Sequence, residues 1–240
     1  MFAGCYRPLI LLLVPVLLAG TNLERHQVYH VSGRDSFQIG SRELRSDSSY
    51  DGSETLTIRK EDGSVRYIAD AAYDKTDGGV VQRETASFVS IIGPDGREHD
   101  ESGKDPEFLT ILNQPFNVQL DKDTLADVRE LSEPSPFSFA SSMAGSMLRG
   151  TLRRIPDGVI GGRRVVGIGF DAAGPMRGGI PAHREITLTG TIRMTGRAYY
   201  TTREALLLEL DATLEIVGTL SDESTSDPVK IVYRRTMRAE

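Results

Sequence analysis

Tryptophan is absent from this chain, and cysteine occurs once, at Cys5. A single cysteine close to the N-terminus leaves the body of the protein with no disulfide framework, no thiol nucleophile and no zinc–thiolate site. No N-x-[ST] glycosylation sequon occurs. Basic residues are outnumbered, 28 to 34, for a formal charge of −6. That balance argues against a nucleic-acid partner, which needs a basic face. Recognisable catalytic signatures are missing as well. There is no G-x-S-x-G elbow, no S-x-x-K, no H-E-x-x-H and no P-loop.

One long hydrophobic run is present, and it lies at the N-terminus. Residues 9–19 read LILLLVPVLLA behind Arg7. A spanning helix needs roughly 20 apolar residues, whereas a secretory h-region takes about 7–15. Residues 1–20 therefore read as an export signal, with Ala19 and Gly20 as the small residues near cleavage. An uncleaved anchor reaching Leu23 is the alternative, and it is the only expected contact with a membrane. A lipobox is excluded, because Thr21 stands where its cysteine would be. An exported chain without disulfides or sequons fits the bacterial periplasm or cell surface.

The remaining chain, about 220 residues, is long enough to bury a core without covalent help. Residues 21–53 are polar and weakly periodic and read as a linker or a loose first strand around Val28, Tyr29 and Val31. Residues 54–240 read as a single antiparallel α+β domain. Leu56 and Ile58 alternate with Thr55, Thr57 and Arg59, the period of a half-buried strand. Turns at 61–63, 77–79 and 93–96 make a meander through residue 92. Short strands are expected at 108–112 and 116–120.

A first helix is expected at 124–131, N-capped by Asp123, with Leu125, Val128 and Leu131 on one face. A second is expected at about 136–149, because Phe139, Met143, Met147 and Leu148 recur at spacings of three and four. Residues 156–162 read as a turn-rich connection, 163–170 as a strand, and the Gly- and Pro-rich 171–181 as a loop. Three long strands close the chain at 186–200, 205–220 and 229–237.

Each candidate for chemistry has a plainer explanation beside it. Gly167, Gly169 and Ala172 match G-x-G-x-x-A after Val165 and Val166, but AGPMRGGIP cannot form the helix that a pyrophosphate needs. His26 and His30 would lie on one strand face about 13 Å apart, too far for one ion. Asp121, Asp123 and Asp127 suggest a calcium loop, yet Ala126 and Ser132 occupy its Gly and Glu positions. Glu209 and Asp211 read as the wet side of a sheet. His183, beside the glycine-rich stretch, is the one place where a hydrolase site would be sought, and His99 falls in a turn. No cofactor, metal or catalytic residue is assigned. Phe137, Phe139, Met143 and Met147 are the candidate contacts for an apolar ligand, since methionines suit adaptable apolar surfaces.

The strands ITLTGTIRMTG and ALLLELDATLEIVGTL, with the stretch SFASSMAGSML, give the chain a pattern that resembles the LolA-like periplasmic lipoprotein carriers. The resemblance covers roughly residues 50–238 and includes no diagnostic motif. It implies an α+β fold, a large curved antiparallel sheet (an incomplete barrel) with two short helices packed on it. It also implies a non-enzymatic module that holds a lipid or other apolar small molecule. The alternatives are a structural or protein-interaction module of the envelope and, third, a hydrolase without a recognisable motif.

Overall fold

Three two-residue turns set the geometry of the strands around them. In the computed structural model, which describes residues 24–40, 44–61, 63–93, 98–100, 122–141, 146–180 and 183–240, Gly78-Gly79 and Gly161-Gly162 all have positive φ, as does Gly63. Two-residue hairpin loops need that left-handed backbone to match strand twist, and glycine adopts it without a Cβ penalty. The hairpins join β2 (Leu44–Glu61) to β3 (Ser64–Asp77), β3 to β4 (Val80–Ile92), and β7 (Ser146–Ile160) to β8 (Arg163–Ile180).

The remaining elements are β1 (Glu24–Ile39), β5 (Glu98–Asp100), helix α1 (Lys122–Arg129), β6 (Ser135–Ser141), β9 (His183–Thr201), β10 (Leu207–Ser221) and β11 (Ser226–Ala239). The eleven strands among the described residues form one antiparallel sheet in the order β5-β4-β3-β2-β1-β11-β10-β9-β8-β7-β6. The first five walk outward from β1, the last six walk back to β11, and β11 pairs with β1. The sheet is curved and not closed: β5 and β6 are its edges among the described residues.

The central strands alternate between an inner, apolar face and an outer, wet one. On β10, Leu210, Ala212, Leu214 and Ile216 are buried, while Glu209, Asp211, Thr213 and Glu215 between them are only partly covered. The inner residues of β1, β2, β3 and β7–β11 join α1 in one core, with Tyr29, Leu56, Ile192, Leu210 and Leu214 fully buried. Bending a sheet this far brings neighbouring backbones together on the concave side. Gly190 and Gly218 pair directly there, and a Cβ on either would lie 2.3 Å from the Val217 carbonyl oxygen or 2.4 Å from that of Thr189. Only glycine fits at such a bend.

Several expectations are corrected. One helix is present among the described residues, not two: 135–141 and 146–149 belong to the hairpin β6–β7, with Phe137 opposite Gly150 and Phe139 opposite Leu148. The three-and-four spacing there is accidental, and the alternating aromatics at 137 and 139 carry the true period. Residues 171–180 of the loop expected at 171–181 are instead the second half of β8, paired with β9 from Asp171↔Thr195 to Gly179↔Thr187. Pro175 is accommodated because the described β7–β8 ladder ends at Arg149↔Ala173, so it interrupts no bonds on that side. Residues 156–160 lie in β7, where Pro156 and Asp157 occupy a bulge between Ile155 and Gly158. Residues 24–39 and 44–53, weighed as linker or loose strand, build β1 and the start of β2, at the middle of the sheet. The strands expected at 108–112 and 116–120 lie outside the described residues.

Candidate functional site

The inner face has two parts, an apolar end near α1 and a polar cluster on β11, β1, β2, β3 and β4. At the apolar end, α1 runs for eight residues and presents Leu125 and Val128, three apart, to the core. Both are buried, as are Phe137 on β6 and Leu148 and Leu152 on β7. The Arg154 guanidinium donates to the carbonyl of Arg129 at 2.5 Å, capping the helix C-terminus with a cation. Apart from this bond and the buried side chains, α1 meets the sheet chiefly at β7.

The polar cluster begins with a charge pair. Asp35 on β1 and Arg235 on β11 are buried, 1% and 2% exposed, and meet in bidentate fashion. Arg235 Nη2 lies 3.0 Å from Asp35 Oδ2, Nη1 bonds Oδ1, and Nη1 also donates to the Arg234 carbonyl at 2.9 Å. Glycine makes the room: Gly33 sits opposite Arg235, and a Cβ there would fall 2.7 Å from Nη1. The guanidinium lies 4.8 Å from the Tyr50 ring centre and 5.9 Å from that of Tyr233, within cation–π range. Tyr50 packs edge-on to Tyr73 at 5.4 Å, and Tyr73 donates to Glu84 at 3.1 Å. Lys75 closes the group 3.8 Å from the same carboxylate.

These groups are not arranged for nucleophilic chemistry. Burial pushes the Tyr50 phenol up to about 12, despite the Ser48 hydroxyl bonded to it. Burial also raises Tyr73 and Tyr233, so all three stay protonated at neutral pH. Asp35 accepts from Arg235 through both oxygens. The pair instead joins residues 200 positions apart across β1–β11, the pairing that unites the two halves of the sheet. A buried ion pair adds little net stability, but it penalises every register that separates the two charges.

Glu54 stands apart from this network. It is fully buried on β2, between Tyr29 and Ala71, and neither carboxylate oxygen has a hydrogen-bond partner among the described residues. Burial raises its pKa from 4.5 to about 8, so it is largely neutral at pH 7.

Of the four residues singled out for apolar contact, Phe137 is described in full and lies buried at the apolar end. Phe139 and Met147 occupy positions in β6 and β7, opposite Leu148 and Ala140, and their side chains lie outside the described set. Met143 lies wholly outside it. The other candidates are dispersed. His26 contacts Glu24 and Thr57, and His30 contacts Asp51, all on β1 and β2. His99 falls in β5 and His183 at the start of β9. Gly167–Ala172 runs as uninterrupted strand in β8. Among the described residues, no three His, Cys, Asp or Glu side chains converge as a metal site. No helix among them is long and apolar enough to cross a membrane.

Sequence reading missed Asp35, Arg235 and Glu54, although each carries a signal. Arg235 follows Val229, Ile231 and Tyr233 in the apolar phase of β11. Asp35 shares its phase with Val31 and Phe37, and Glu54 shares its phase with Leu56. A charge standing in the apolar phase of a strand marks a buried ionisable group. No protein-family model matches this chain, and no curated protein matches it.

Proposed function

We propose that this chain is an exported, non-enzymatic binding or carrier module of the bacterial periplasm or cell surface, holding an acyl chain or other apolar ligand on the inner face of its sheet. The carrying observation is the unclosed seam. The inner face is apolar through to β6, and at that end the cover provided by the described residues is the short helix α1. The described cavities are lined largely by polar side chains, and the one that reaches α1 touches it only at Lys122. The ligand therefore takes the place of α1 rather than entering beside it, against Phe137, Leu148 and Leu152. We carry Phe139, Met143 and Met147, the other sequence candidates, as its proposed further contacts. This arrangement of a helix on an open antiparallel sheet is also what favours kinship with the LolA-like carriers.

The exchange sets a minimum ligand size. Uncovering Leu125 and Val128 costs about 3–6 kcal/mol, and each buried methylene returns about 0.8 kcal/mol. An acyl chain must therefore bury at least ~4–8 methylenes to displace the helix. The test is titration of the full chain with a fluorescent fatty acid. Saturable binding is expected, tightened in L125A/V128A because the helix then competes less. Absence of saturable binding by the wild type and by this variant overturns the reading.

A second reading, strand-mediated interaction with an envelope protein, is favoured by β6, whose far edge carries no partner strand among the described residues. Capture of one defined partner, lost on substituting proline within β6, would select it.

A further inference from the structure

The outer face of the sheet is laced with charge pairs across neighbouring strands. On β9, Arg193 pairs with Asp171 at 2.5 Å and Arg197 with Asp211 at 2.6 Å. On β11, cations recur every four residues, at Lys230, Arg234 and Arg238. The first meets Glu215 at 2.6 Å and the last meets Glu209 at 3.5 Å, both on β10. Arg234 between them breaks the pattern. Its neighbour on β10 is Thr213, and its neighbour on β1 is another arginine, Arg34.

Like charges directly opposite on paired strands repel. Among the described residues, the nearby carboxylates do not neutralise this pair. Asp211 is held by Arg197 and by the Thr236 hydroxyl, Glu215 by Lys230, and Asp51 lies against His30. Neither Arg34 nor Arg234 has an ion-pair or side-chain hydrogen-bond partner among the described residues, and both are exposed. Asp47, diagonal to Arg34, supplies one negative charge against two positive ones.

The surface around the pair is concave. A groove of about 410 Å³ lies on one side, lined by Arg34, Arg234, Ser36, Asp47, Ser49 and Thr76. Two guanidinium groups among short hydroxyl side chains match a tetrahedral oxyanion, which takes several charge-assisted hydrogen bonds at once. We propose that Arg34 and Arg234 form a phosphoryl-binding site on the outer face of β1 and β11. It lies on the face opposite the proposed apolar site, so either can fail without the other.

Isothermal titration of the full chain with inorganic phosphate tests this, with chloride at matched ionic strength as the reference. Saturable binding is expected in the wild type, weakened at least ~10-fold in R34Q and in R234Q. T213E places a carboxylate opposite Arg234, as Glu209 lies opposite Arg238. It is expected to abolish phosphate binding while leaving the melting temperature unchanged or raised, which separates loss of the site from loss of the fold. Vesicles of phosphatidylglycerol, against phosphatidylcholine, identify the source. Binding of phosphate alone indicates a soluble phosphoryl ligand, and binding of both indicates a lipid headgroup. Phosphate heats equal to those of chloride, or unchanged in R34Q and T213E, overturn the proposal.

Discussion

Glu54 makes the stability of this protein depend on pH in a direction opposite to most carboxylates. Its pKa is raised in the folded state, from 4.5 to about 8, because burial disfavours the charged form and no donor among the described residues compensates. The folded state therefore binds more protons than the unfolded one between those values. Stability from this group is fully present below pH 4.5 and is lost as pH rises through 8. At about 1.4 kcal/mol per unit, going from pH 5 to pH 8 removes on the order of 3 kcal/mol. For a chain of this size that corresponds to roughly 6–12 °C in melting temperature. Glu54→Gln removes the titration while keeping the shape. Melting followed by circular dichroism from pH 5 to pH 8 should show wild type falling relative to E54Q across that window. Other ionisable groups contribute equally to both proteins and cancel in the difference. Parallel pH profiles for wild type and E54Q would refute the assignment. E54L, which leaves no buried amide unpaired, should exceed wild type at pH 8 by a few kcal/mol.

Arg235→Met leaves the Asp35 carboxylate buried without its partner and should cost about 3–5 kcal/mol in urea unfolding. Adding Asp35→Leu to it should restore much of that loss, and a double variant as unstable as the single one would contradict the account of the pair. Gly190→Val should abolish soluble folded protein, since its Cβ would meet the Val217 carbonyl at 2.3 Å; soluble yield and circular dichroism read this directly. Leu125→Ala should lower stability by about 2–5 kcal/mol if α1 is packed as described, and a change below 1 kcal/mol would show that the helix is not seated.

The strands with clean alternation were legible in the sequence, and those with mixed signals were not. Residues 207–221 announce a half-buried strand because leucine, alanine and isoleucine occupy every second position. β1 was obscured because Asp35 and Gly33 interrupt its apolar phase, and both serve the buried Arg235. The second half of β8 was obscured by Gly174, Pro175, Gly178 and Gly179, residues that signal turns locally but are tolerated here by pairing with β9. Tertiary pairing overrode local propensity. In the β6–β7 hairpin, small residues between Phe139 and Leu148 imitated a helical stripe, so a period of four was read where the backbone has a period of two. Ion pairing across strands was not readable at all. The opposition of Arg34 and Arg234 depends on the register of β1 with β11, set between residues 200 apart.

The central claim, that the inner face of the open sheet carries an apolar ligand, is tested most directly by native mass spectrometry of the full chain purified without detergent. The account predicts a discrete added mass, near one acyl-bearing molecule per chain, that is released on denaturation and recovered in the organic extract. The bare polypeptide mass alone, unchanged after incubation with a long-chain fatty acid, would contradict it.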